Sequence, residues 1–111
     1  MVLVVDDEPL VLVVTVEMLK DLGCDVIAAT NSPEALRKLD ADPRVDILIT
    51  DINMPGMDGY ELAAAAMNVR NALKVILLSG RQGDGRGFPL IHKPFLQKDL
   101  IETMAAHTGL C

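Results

Sequence analysis

Val45-Asp46-Ile47-Leu48-Ile49-Thr50-Asp51 is the stretch on which the fold turns. Its centre, Ile47-Leu48-Ile49, reads as a buried strand, because side chains that are apolar on both faces of a strand need cover on both sides. The strand ends at an acid, Asp51. Upstream, Ser32-Pro33-Glu34 is a helix start, with Ser32 as N-cap and Pro33 at the first helical position, and Ala35, Leu36 and Leu39 carry its apolar face. Before that come a strand, Val26–Ala29, and a helix that opens at Pro9, runs to about Leu22 and stops at Gly23. The chain opens with the strand Val2-Leu3-Val4-Val5, stopped by Asp6-Asp7-Glu8. Downstream, a turn over 56–59 leads into an alanine-rich helix over 60–69. A fourth strand, Val75-Ile76-Leu77-Leu78, ends at Ser79; a short fifth, Leu90-Ile91-His92, precedes a closing helix over 97–107. Apolar strands alternating with helices predict an α/β fold, a doubly wound parallel sheet of five strands covered on both faces.

At 111 residues the chain is expected to form one domain, 1–111, with half its residues apolar. One Tyr, two Phe and no Trp leave an aliphatic core. The net charge of −6 argues against a nucleic-acid partner, which rewards clustered Lys and Arg. Cys24 and Cys111 do not resemble a disulfide framework or a metal cluster, and Cys24 reads as a small core residue. The opening apolar run meets acids too early for a signal peptide and no run is long enough to span a bilayer, so the expected setting is the cytoplasm, with no membrane partner.

In such sheets ligands sit beyond the carboxyl ends of the strands. Those ends carry Asp6 and Asp7, Asp51, Ser79 and, after the fifth strand, Lys93. Taken singly these are ordinary: Asp6-Asp7 would serve as a loop acid and a helix cap, Ser79 as a turn residue, Lys93 as a solvated cation. Four strands delivering them to one rim is not ordinary. Converging carboxylates repel and raise one another's pKa unless a cation is present. A hard cation with oxygen ligands and room for water and phosphate is Mg²⁺. Glu8 is expected to face solvent. A carboxylate nucleophile forms an acyl phosphate, and the metal, Lys93 and the Ser79 hydroxyl would each neutralise one phosphoryl oxygen.

Along nearly its whole length the sequence resembles the receiver domain of two-component response regulators. The resemblance is carried by Val4-Val5-Asp6-Asp7-Glu8-Pro9, by Asp51-Ile52-Asn53-Met54-Pro55-Gly56-Met57-Asp58-Gly59, by Leu78-Ser79-Gly80 and by Lys93-Pro94-Phe95. It implies the flavodoxin-like strand order 2-1-3-4-5. It further implies Asp51 as phosphoacceptor, Asp6 and Asp7 as metal-binding acids, and the backbone carbonyl of Asn53 as a further ligand. Ser79 and Lys93 would contact the phosphoryl group, Lys93-Pro94 would be a cis bond, and Asn53 and Arg81 would tune the lifetime of the phosphorylated state. The implied partner is a sensor histidine kinase or histidine phosphotransfer protein, and the implied function a signalling switch, not an enzyme beyond its own phosphorylation and dephosphorylation.

Two departures stand out. Leu90 occupies the position of the family's aromatic switch residue, with Phe88 nearby. The glycine-rich stretch over 80–87 has no apolar helical stripe, so the usual fourth helix is expected to be missing or reduced, as in receivers of hybrid kinases, and this stretch to be the most mobile internal segment. It opens no helix and lacks Gly-Lys-Ser/Thr, so it is no nucleotide loop. An aspartyl-phosphate phosphatase is the rival enzyme, but it would want an acid where Asn53 stands; a degenerate receiver that only binds protein is the other alternative. On the first helix, Val11, Val14 or Thr15, Met18 and Leu22 are expected to face the sheet. That leaves Leu12, Val13 and Val16 as an exposed apolar face for a helical partner or a second copy.

Overall fold

The computed structural model describes residues 1–80 and 85–109. The elements in chain order are β1 (Val2–Val5), α1 (Pro9–Asp21), β2 (Val26–Ala29), α2 (Ser32–Ala41), β3 (Ile47–Asp51), α3 (Gly59–Val69), β4 (Lys74–Ser79), a 3-10 turn at Gly85–Gly87, β5 (Leu90–His92) and α4 (Gln97–His107). The strands form one wholly parallel sheet in the order β2-β1-β3-β4-β5, as the sequence implied.

Strand side chains alternate between faces, and the alternation sorts the core into two layers. Leu3, Val5, Leu48 and Leu77 pack with Ala35 and Leu39 of α2 and with Leu62 and Ala66 of α3. Val2, Val4, Ile47, Ile49, Ile76 and Leu78 pack on the other face with Leu12 and Leu19 of α1 and with Leu100 and Met104 of α4. The connection from β4 to β5 contains, among the described residues, only the 3-10 turn, in keeping with a missing fourth helix. Positions 81–84, with Arg81 and half of the stretch expected to be mobile, lie outside the described residues. Arg86 of the turn stacks over the Tyr60 ring at 4.0 Å, and Phe88 and Leu90 join Tyr60 against the first core layer.

Three readings are corrected. On α1, Thr15 is buried and Met18 and Leu22 pack against the core as expected, and Val13 is exposed as expected; but Leu12 is buried with Leu19 and Val16 is partly buried against the core, while Leu10 and Val14 are exposed. The helix is apolar nearly all round, so hydrophobicity did not fix its phase. Of Val14 and Thr15, the two residues that fit one place on the inner face, Thr15 is the buried one, its hydroxyl donating to the Val11 carbonyl at 2.8 Å. The N-cap of α2 is Asn31, whose side chain accepts from the Glu34 backbone N–H at 2.8 Å. Ser32, one place further on, donates to the Met57 carbonyl instead, at 2.9 Å. Finally, Cys24 packs in the core as expected but is disulfide-bonded, which no local pattern around it signals. The other cysteine, Cys111, lies outside the described residues. Gly23 ends α1 as read, with φ +88°, its N–H on the Lys20 carbonyl and that of Cys24 on the Leu19 carbonyl.

Candidate functional site at the carboxyl edge of the sheet

Register sets the site. Val5 pairs with Thr50, so the next residues, Asp6 and Asp51, leave adjacent strands side by side. Alternation directs both side chains to the α1 and α4 side of the sheet. Asp51 is in turn paired with Leu78, which places Ser79 at the neighbouring strand end. The Lys93 N–H donates to the Ser79 carbonyl at 2.7 Å, tying the end of β5 to that of β4, and the Lys93-Pro94 bond that follows is cis, as the resemblance implied.

The side chains converge as the sequence predicted. Lys93 Nζ lies 2.9 Å from Asp6 Oδ2, 3.4 Å from Asp51 Oδ1 and 4.0 Å from Glu8 Oε1. The other Asp6 oxygen accepts the Glu8 backbone N–H at 2.9 Å, so both oxygens of this fully buried carboxylate are engaged. Asp51 and Ser79 are buried, while Asp7 and Asn53 are exposed at the rim. One carboxylate oxygen from each of Asp6, Asp7, Glu8 and Asp51 lies within 4.8 Å of the others. Such a set of hard oxygen donors suits a small divalent cation better than any soft metal.

The electrostatics follow from burial. Desolvation pushes the Asp51 carboxyl above its usual range; Lys93 opposes this, Asp6 adds to it, and the Asn53 backbone N–H pulls it back down. For Lys93 burial works downward, but the Asp6 hydrogen bond and charge, joined by Asp51, carry it above its ordinary value. Asp51 is thus a desolvated carboxylate beside a firmly held cation. It opens on a cleft of 260 Å³ lined with Glu8, Asn53, Gly80 and Lys93.

Two contributors escaped the sequence. Gly59 starts α3 directly against the end of β3: a Cβ there would lie 2.4 Å from the Asp51 carbonyl oxygen. Its neighbours Asp58 and Glu61 form a capping box, each side chain accepting the other's backbone N–H, and the Asp-x-x-Glu spacing was a readable signal for it. The second is a groove of 460 Å³ alongside the cleft, walled by Leu10, Val11 and Val14 of α1 and by Pro94 and Phe95. It was invisible while α1 was turned to the wrong phase.

The family model of the response regulator receiver domain matches residues 2–105. The chain belongs to that family. This receiver domain is 36% identical to protein PilG of Pseudomonas aeruginosa, over 96% of its own length and 85% of PilG. It is 38% identical to sensor protein EvgS of Escherichia coli over 67% of its own length, a segment that spans 6% of EvgS. In structure it matches the Vibrio cholerae chemotaxis protein CheY4 with a TM-score of 0.86 at 29% identity, covering 95% of each chain. It is therefore a two-component signalling domain with the CheY-like fold, and among its described residues no helix is long and apolar enough to cross a membrane.

Proposed function

We propose that this receiver domain takes a phosphoryl group onto Asp51 from a phosphohistidine donor and relays that state to a partner. The observation that carries the proposal is a buried carboxylate, its pKa raised, at a strand end, open to a cleft and 3.4 Å from a lysine. A carboxylate oxygen of Asp51 attacks phosphorus while the P–N bond to the donor imidazole breaks and its electron pair stays on the ring nitrogen. Lys93 neutralises one phosphoryl oxygen, and the Ser79 hydroxyl at the end of β4 takes another. Asp6, Asp7, Asp51 and the Asn53 backbone carbonyl would hold Mg²⁺, which when bound offsets charge on the remaining oxygens. The donor, a sensor histidine kinase or a histidine phosphotransfer protein, would seat a helix in the apolar groove, because that groove shares Glu8, Gly80 and Lys93 with the cleft. The exposed apolar face available to it is Leu10, Val13 and Val14.

Stoichiometric labelling with acetyl phosphate, with and without Mg²⁺, tests the function. The expected result is a lasting acyl phosphate that forms only with the metal. Turnover of foreign phosphate esters would make the chain a phosphatase, and no label at all a binding module. In parallel, Mg²⁺ titration should show one site that Asp7→Ala weakens strongly; unchanged affinity would contradict the assignment of that acid.

A further inference from the structure

Glu8 lies within the acidic cluster at the rim, yet nothing in the fold requires its carboxylate there. It occupies the N-cap position of α1, yet its side chain caps nothing. Its backbone N–H is held by Asp6, which fixes the main chain and leaves the carboxylate 64% exposed, 4.0 Å from Lys93. Lys93 is already engaged by Asp6 and Asp51 at shorter range, so Glu8 keeps most of its charge. What marks it out is position: it is a wall of the phosphoryl cleft and, at the same time, a wall of the apolar groove.

These two surroundings treat a donor differently. A small anionic phosphodonor enters the cleft alone, leaves the groove wet, and meets in Glu8 a like charge. A donor seated in the groove covers Leu10, Val14 and Phe95 and strips water from Glu8 as well. A carboxylate so desolvated is costly unless something donates a hydrogen bond to it. We infer that Glu8 is a donor-specificity residue, repelling phosphodonors whose leaving group is anionic and offers no hydrogen-bond donor, and accepting a hydrogen bond from an N–H or cationic leaving group. A phosphoimidazole protonated on the ring nitrogen that does not carry phosphorus brings such a group, a cationic N–H. The inference rests on the acceptor role of Asp51.

Two small donors isolate the effect, acetyl phosphate and monophosphoimidazole. With the first, the Asp51 oxygen forms its bond to phosphorus as the P–O bond breaks and acetate leaves with the electron pair; with the second, the P–N bond breaks and imidazole leaves. Glu8→Gln should speed labelling by acetyl phosphate about three- to fivefold, the scale of one exposed charge interaction, and should not speed labelling by monophosphoimidazole. Glu8→Asp should retain the wild-type preference, and 1 M NaCl should bring wild type close to Glu8→Gln with acetyl phosphate by screening the repulsion. An equal change with both donors, or no change with either, would overturn the inference. So would a fall in Mg²⁺ affinity in Glu8→Gln that slows both donors alike, since Glu8 would then be a metal ligand. Failure of wild type to accept label from either donor would overturn the acceptor role of Asp51, and the inference with it.

Discussion

The carboxyl rim of the sheet and the outer face of α1 lie side by side, yet one could be read from the sequence and the other could not. Each rim residue stands at or just beyond the end of an apolar strand, and a strand end is a marker along one dimension. Asp6, Asp51, Ser79 and Lys93 were all placed in this way; Asp6, Asp51 and Lys93 meet, and Ser79 is buried at the neighbouring strand end. A helix face needs a phase as well as a position. In α1 eight of the first ten residues are Pro, Leu, Val or Met, so the pattern names no inside. Two residues, about half a helical turn, separate Leu12, buried, from Val14, exposed.

Four substitutions sharpen this contrast. Gly59→Ala drives a methyl group into the backbone at the Asp51 carbonyl and should cost about 3 kcal/mol, while disturbing Asp51 itself. Gly80→Ala, at a rim position with open space around it, should change stability by less than about 0.5 kcal/mol. Urea unfolding midpoints at constant m-value compare the two. On α1, Leu12→Ala should cost about 2 kcal/mol, but Val14→Ala less than about 0.5 kcal/mol. Equal losses at positions 12 and 14 would mean that the helix has no fixed phase.

Other parts of the molecule follow the same division. Helix α2 has a clear apolar stripe, and Ala35 and Leu39 are buried as expected. Its cap was misplaced by one residue because Asn31 and Ser32 carry equivalent capping chemistry and only the fold, by bringing Met57 near, gives Ser32 other work. The groove beside the cleft depends on how α1 meets Pro94 and Phe95, residues distant in sequence, and no local pattern encodes such a meeting. The same holds for the disulfide at Cys24. That the described residues between β4 and β5 hold only a 3-10 turn was legible, because the signal is purely local, a run of glycines without an apolar stripe.

A smaller effect concerns pH. Because the folded state raises the Asp51 pKa, it binds that proton more tightly than the unfolded chain does. Stability must then fall as pH climbs from the ordinary carboxylate range through the raised value. Lys93 acts in the opposite region: its raised pKa lends stability that is lost only in strong alkali. With divalent cations chelated, Asp51→Asn should therefore gain thermal stability over wild type as pH rises above the ordinary carboxylate range, and the gain should shrink when Mg²⁺ is restored to wild type. A variant equal to or weaker than wild type throughout would show that burial does not disfavour the Asp51 carboxylate.

The central claim is that one carboxylate, Asp51, accepts the phosphoryl group. Peptide-level mass analysis after labelling with acetyl phosphate and Mg²⁺, run on wild type beside Asp51→Asn, tests it most directly. Wild type should carry one phosphoryl group per chain, on the peptide that contains Asp51, and Asp51→Asn should carry none. Label on another residue of wild type, or undiminished label in Asp51→Asn, would contradict the account.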